Sequence, residues 1–68
     1  MATGTVKWFN ETKGYGFIAP EGGGKDVFVH IRAVERSGLR GLADNQKVSY
    51  EMEAGRDGRE SAVNIELL

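Results

Sequence analysis

At 68 residues, with no cysteine and one histidine, the chain has room for one small domain, 1–68, and cannot build a disulfide framework or a zinc cluster. Its formal net charge of −1 removes bulk positive charge as an argument for nucleic acid. Met1-Ala2-Thr3-Gly4 is not a charged-then-apolar signal segment, and no apolar run approaches the ~18 residues that span a bilayer. A soluble, cytoplasmic protein is expected. The charge is unevenly placed: Lys7 and Lys13 face only Glu11 in the first twenty positions, whereas Glu51, Glu53, Asp57 and Glu60 crowd a late segment with Arg56 and Arg59.

The predicted elements are five short strands. Thr3 to Asn10 is rich in Thr, Val, Trp and Phe. Lys13-Gly14 signals a turn, Tyr15 to Ala19 a second strand stopped by Pro20, and Glu21 to Gly24 a flexible connection. Asp26 to Ile31 is a third strand with Val27 and Val29 on one face and Phe28 and His30 on the other. Ala33 to Arg36 can make one helical turn before Gly38, followed by a long loop. Gln46 to Glu53 places Val48, Tyr50 and Met52 inward. Asp57-Gly58 is a hairpin signal, and Ser61 to Leu67 closes the set with Val63, Ile65 and Leu67 inward. Five short strands joined by turns predict a small closed or partly closed barrel, which also removes exposed strand edges.

Five of the six aromatics fall in the first 28 residues: Trp8, Phe9, Tyr15, Phe17 and Phe28. Aromatics usually belong to cores, but alternation opposes this for three of them. If Ile18 and Val29 face inward, Tyr15, Phe17, Phe28 and His30 share the outer face. Exposed rings on adjacent strands are an aggregation liability without a ligand, and the flat face of an unpaired base is a natural one. Lys7 and Lys13 stand beside them to meet phosphates, with Lys25 and Arg32 as further candidates. Strict alternation turns Trp8 inward with Val6 and Phe9 outward with Lys7; a bulge in the first strand would reverse this. The pattern alone leaves that parity open.

Gly4-Thr5-Val6-Lys7-Trp8-Phe9-Asn10, Lys13-Gly14-Tyr15-Gly16-Phe17-Ile18 and Asp26-Val27-Phe28-Val29-His30 resemble consecutive signatures of the cold-shock domain, in the right order and spacing. The second is similar to its first ribonucleoprotein motif and the third, with Ile31, to its second. The resemblance implies an all-β, five-stranded antiparallel barrel of the oligonucleotide/oligosaccharide-binding class. It implies binding of single-stranded RNA and DNA, with RNA chaperoning or control of transcription or translation as the role. By position it assigns stacking to Trp8, Tyr15, Phe17, Phe28 and His30, and polar or phosphate contacts to Lys7, Asn10, Lys13 and Asp26. Phe9, Lys25, Ile31, Arg32 and Leu39 are candidates for its edge. The chain departs from the family pattern at Ile31 and Leu39, where aromatics are common, at Arg32, where a small residue is usual, and at Glu60-Ser61-Ala62. Because Ile31 ends the third strand, it is expected to be at least half exposed beside the aromatic face.

Other readings are weaker. Gly14-x-Gly16-x-x-Ala19 fits a dinucleotide-binding pattern, but Pro20 and glycines follow where that motif needs a helix. His30 is a poor catalytic candidate, since Asp26 stands roughly 13 Å away along a strand. No enzyme activity, cofactor, metal or small-molecule substrate is expected, and the chain is expected to be a monomer. The alternatives are an S1-type barrel of the translation machinery and a protein-interaction barrel with a weakened nucleic-acid face.

Overall fold

The computed structural model describes residues 2–55 and 60–68. Five strands, β1 (Ala2–Asn10), β2 (Tyr15–Pro20), β3 (Val27–His30), β4 (Lys47–Ala54) and β5 (Glu60–Leu67), form a closed barrel in the order β1-β2-β3-β5-β4. The expected all-β barrel is therefore present. Four neighbouring pairs are antiparallel, while β3 meets β5 in a parallel contact at Phe28 and Ser61 that closes the barrel. The Asp57-Gly58 hairpin signal lies outside the described residues.

One helix, α1 (Ile31–Arg36), follows β3 directly. It starts two residues before the expected helical turn, so Ile31 belongs to it and not to the third strand. Six residues are too few to hold a helix alone, and packing supplies the rest. Val34 is fully buried in the core, the Ser37 hydroxyl donates to Ala33 O (2.8 Å), and Ser37 Oγ in turn accepts from the Ile65 N–H of β5 (2.8 Å).

The core holds Val6, Ile18, Val27, Val29, Val48, Tyr50, Ala62 and Ile65 from the strands, with Val34 and Leu42 from the connection. Alternation predicts most of this set and fails late in the chain. Val48 and Tyr50 are buried as expected, but Met52 is 43% exposed, because β4 leaves the core after Tyr50 and residues 51–55 are all exposed. In β5 the left-handed Asn64 (φ 50°) breaks the period of two. Ala62 and Ile65 turn inward, Val63 is half-buried and Leu67 is exposed.

Candidate nucleic-acid interface

The interface begins with an irregularity in β1. Val6 pairs with Ile18, but the next residue in register is Trp8, opposite Phe17, so Lys7 is the extra residue of a bulge. The bulge settles the parity that the sequence left open. Trp8 turns outward and is 39% exposed, while Phe9 turns inward opposite Gly16 and packs against the core. Phe9, a candidate for the edge of the site, is thus partly buried at the margin of the core. Gly16 permits this arrangement, because a Cβ there would run into Trp8 O and approach Phe9 Cα to 2.7 Å.

Register then assembles the rings. Phe17 lies opposite Phe28 and Tyr15 opposite His30 across β2 and β3. Directly opposed residues of an antiparallel pair share a face. Trp8 contacts Tyr15 and Phe17 edge-on, with centroids 5.6 and 5.4 Å away. Tyr15 and Phe28 stack at 5.8 Å with 29° between their planes, and His30 adjoins Phe28 at 6.3 Å. Trp8 and His30 are exposed, and Tyr15, Phe17 and Phe28 half-buried. All five predicted stacking residues thus form one contiguous surface over β1, β2 and β3.

The polar residues are more engaged than the sequence shows. Lys7 Nζ pairs with Asp26 Oδ2 at 2.9 Å, joining the β1 bulge to the residue just before β3. Asn10 Oδ1 accepts the Lys13 N–H at 3.0 Å and fixes the β1–β2 turn. His30 Nδ1 accepts the Arg32 N–H at 3.1 Å, capping α1 and leaving Nε2 to carry the proton of the neutral ring. Lys13, Lys25 and Arg32 are exposed.

One edge expectation changes. Ile31 is less than half exposed: its N–H donates to Gly14 O at 2.9 Å, and its side chain covers Gly14. Leu39 is half-buried against the core. Both depart from the family pattern by filling space beside the barrel. What sequence reading missed is an open groove beside the aromatic face, lined in part by Phe28, His30, Arg32, Arg36, Met52 and Val63. The spacing of Arg32 and Arg36, one helical turn apart, was its legible signal.

The "Cold-shock" DNA-binding domain family matches residues 2–68, nearly the whole chain. The chain belongs to the cold-shock domain family. Among its relatives, the probable cold shock protein y4cH of Sinorhizobium fredii is 64% identical over 67 residues, 97% of each chain. Cold shock protein CspA of Rhizobium meliloti is 54% identical over 66 residues, 96% of each chain. Cold shock-like protein CspE of Escherichia coli is 53% identical over 62 residues, covering 91% of this chain and 88% of that one. The cold-shock fold accounts for the barrel and for the ring surface on β1 to β3. It displaces the S1-type barrel as a description of the chain.

Proposed function

We propose that this protein binds single-stranded RNA and DNA by stacking unpaired bases on Trp8, Tyr15, Phe17, Phe28 and His30. The observation that carries the reading is the continuity of these five side chains on one outer face. Base stacking on such rings contributes about 1–3 kcal/mol per base and tolerates most sequences. A duplex hides its base faces, so the surface selects single strands. Holding bases unpaired shifts weak hairpins toward their open state without a nucleotide motor, which is the action of an RNA chaperone. Lys7, Lys13 and Lys25 serve the backbone and Asn10 the base edges, while the Asp26 carboxylate is held by Lys7.

The reading is of a single-domain, monomeric, cytoplasmic binding module, with no small-molecule substrate and no catalytic step. His30 supports the last point, since its Nδ1 is occupied as a cap acceptor and Asp26 is paired with Lys7. Among the described residues no helix is long and apolar enough to cross a membrane, and no cluster of His, Cys, Asp or Glu is placed to hold a metal ion. A protein-interaction barrel would rest on Ile31 and Leu39, but these two side chains lie against Gly14 and the core.

Trp8 provides the test. Adding an unstructured single-stranded oligonucleotide quenches its emission in a saturable way, and an equimolar duplex does so far less. Absence of any change with RNA and DNA single strands alike would defeat the proposal.

A further inference from the structure

The face that carries the rings continues directly into α1. His30, its last residue, is also the residue whose ring caps that helix, through the 3.1 Å bond from the Arg32 N–H. Arg32 and Arg36 follow at a spacing of four, so they lie on one side of α1, about 6 Å apart along its axis. Both are exposed, both line the groove that contains Phe28 and His30, and neither has an ion-pair partner among the described residues. They are not loosely mounted. Buried Val34 and the Ser37 bridge to Ile65 hold α1 against the barrel.

Among the described residues, the other wall of the groove has the opposite character. Glu51 and Glu53 of β4 and Glu60 of β5 line it, all exposed. A polyanion leaving the rings beyond His30 is repelled by these carboxylates within a Debye length of about 8–10 Å and attracted by the guanidinium groups opposite. Glu35, also on α1 and lining the groove, lies between the two arginines in sequence and lowers the field there without pairing with either.

We propose that Arg32 and Arg36 form a phosphate track that extends the single-strand site beyond His30, along α1 and away from the acidic wall of β4 and β5. The ligand is the sugar–phosphate backbone of the same strand whose bases occupy the rings, so the inference rests on the stacking function proposed above. Guanidinium groups suit this task because they contact phosphate oxygens through two N–H donors at once. The consequence is a footprint longer than the ring surface, gained through charge and without base preference.

Oligonucleotide length separates this track from the rings. Wild type, Arg32→Gln, Arg36→Gln and the double variant are titrated with single strands of about four and about nine nucleotides, spanning the lower part of the range for one barrel of this class. With the longer strand, each replacement lowers the magnitude of the log–log salt slope by about 0.7. For the double variant, the wild-type-to-variant affinity ratio then grows about sevenfold between 0.2 M and 0.05 M salt. With the shorter strand, which the rings alone accommodate, the slopes coincide. Arg32→Lys with Arg36→Lys restores the slope. An unchanged slope for the double variant on the longer strand overturns the track, as does an equal loss on both lengths. Thermal melting of each variant shows that the barrel is intact. If wild type binds neither strand, the stacking function itself has failed; if it binds both and the arginines are silent, only the track has.

Discussion

Lys7 Nζ and Asp26 Oδ2 are 2.9 Å apart, and their ion pair ties the β1 bulge to the start of β3 at the edge of the ring surface. The two side chains are 52% and 36% exposed. A pair so open to water stabilises the fold by about 0–1 kcal/mol. On the proposed phosphate role of Lys7, the pair also acts on the ligand, because Lys7 would not give its full charge to a phosphate while a carboxylate shares it.

Asp26→Asn is therefore expected to tighten single-strand binding by about 0.2–1 kcal/mol, the range of an exposed pair, and to steepen the salt dependence. The change keeps the shape of the side chain and removes its charge. Isothermal titration at several salt concentrations measures both effects. A weaker complex with an unchanged slope would mean that the Asp26 carboxylate accepts hydrogen bonds from a base, and that this outweighs its hold on Lys7.

Phe17→Ala and Phe28→Ala are each expected to weaken binding by ~1–3 kcal/mol while the barrel still folds. The rings face each other across β2 and β3, 5.9 Å apart and outside the core set. Circular dichroism checks the fold and fluorescence titration the affinity. Unfolding at 25 °C with unchanged affinity in the folded fraction would assign the rings to the core.

Gly16→Ala tests the bulge. The added methyl group meets backbone at Trp8 O and Phe9 Cα as well as the Phe9 ring, and movement of the ring alone cannot relieve the two backbone contacts. Overpacking of this kind costs ~1–3 kcal/mol. In a domain of this size each kcal/mol lowers Tm by roughly 4–8 °C. The Trp8 emission of the folded variant also shifts, since strand separation at Gly16 moves the indole. A variant with wild-type Tm and emission would show that β1 and β2 are not held this closely.

Much of this was legible in the sequence because it depends on alternation. The inward positions of Ile18 and Val29 place Tyr15, Phe17, Phe28 and His30 on one face, and that face is present. Trp8 was not legible by the same rule, because a bulge is a relation between two strands and Lys7 carries no local mark of it. Met52 and Leu67 failed for a different reason. Alternation reports which side a residue takes, not whether the core still extends beneath it, and Asn64 interrupts the period in β5. The Lys7–Asp26 pair and the His30 cap join residues that the sequence pattern presents singly.

Ser49→Ala is expected to leave stability unchanged or raise it by up to about 1 kcal/mol. Ser49 is 4% exposed, and its Oγ has no hydrogen-bond partner among the described residues. It lies where the β4–β5 register shifts between Ser49 and Glu51. A buried hydroxyl without a partner forfeits its hydration for nothing, so its removal carries no penalty beyond a small loss of packing. Urea unfolding measures the change. A loss above about 1 kcal/mol would reveal a hydrogen bond through an ordered water.

Tyr50 gives the barrel an alkaline limit. The side chain is 1% exposed, and burial pushes its hydroxyl above the ordinary value of 10.0, because the phenolate cannot be hydrated there. In the unfolded chain the same group releases its proton near 10. Between the two values the folded state holds a proton that the unfolded state has lost, so stability falls as pH rises. The contribution is fully present below pH 10 and disappears as pH climbs through the folded value. Denaturant unfolding of wild type and Tyr50→Phe from pH 8 upward isolates it, because lysine titration is common to both. The wild-type curve bends down above pH 10 more steeply than that of the phenylalanine variant, which has no proton to lose at this position. Parallel curves would mean that the Tyr50 hydroxyl reaches water in the folded protein, and that it is not part of the seal of the core.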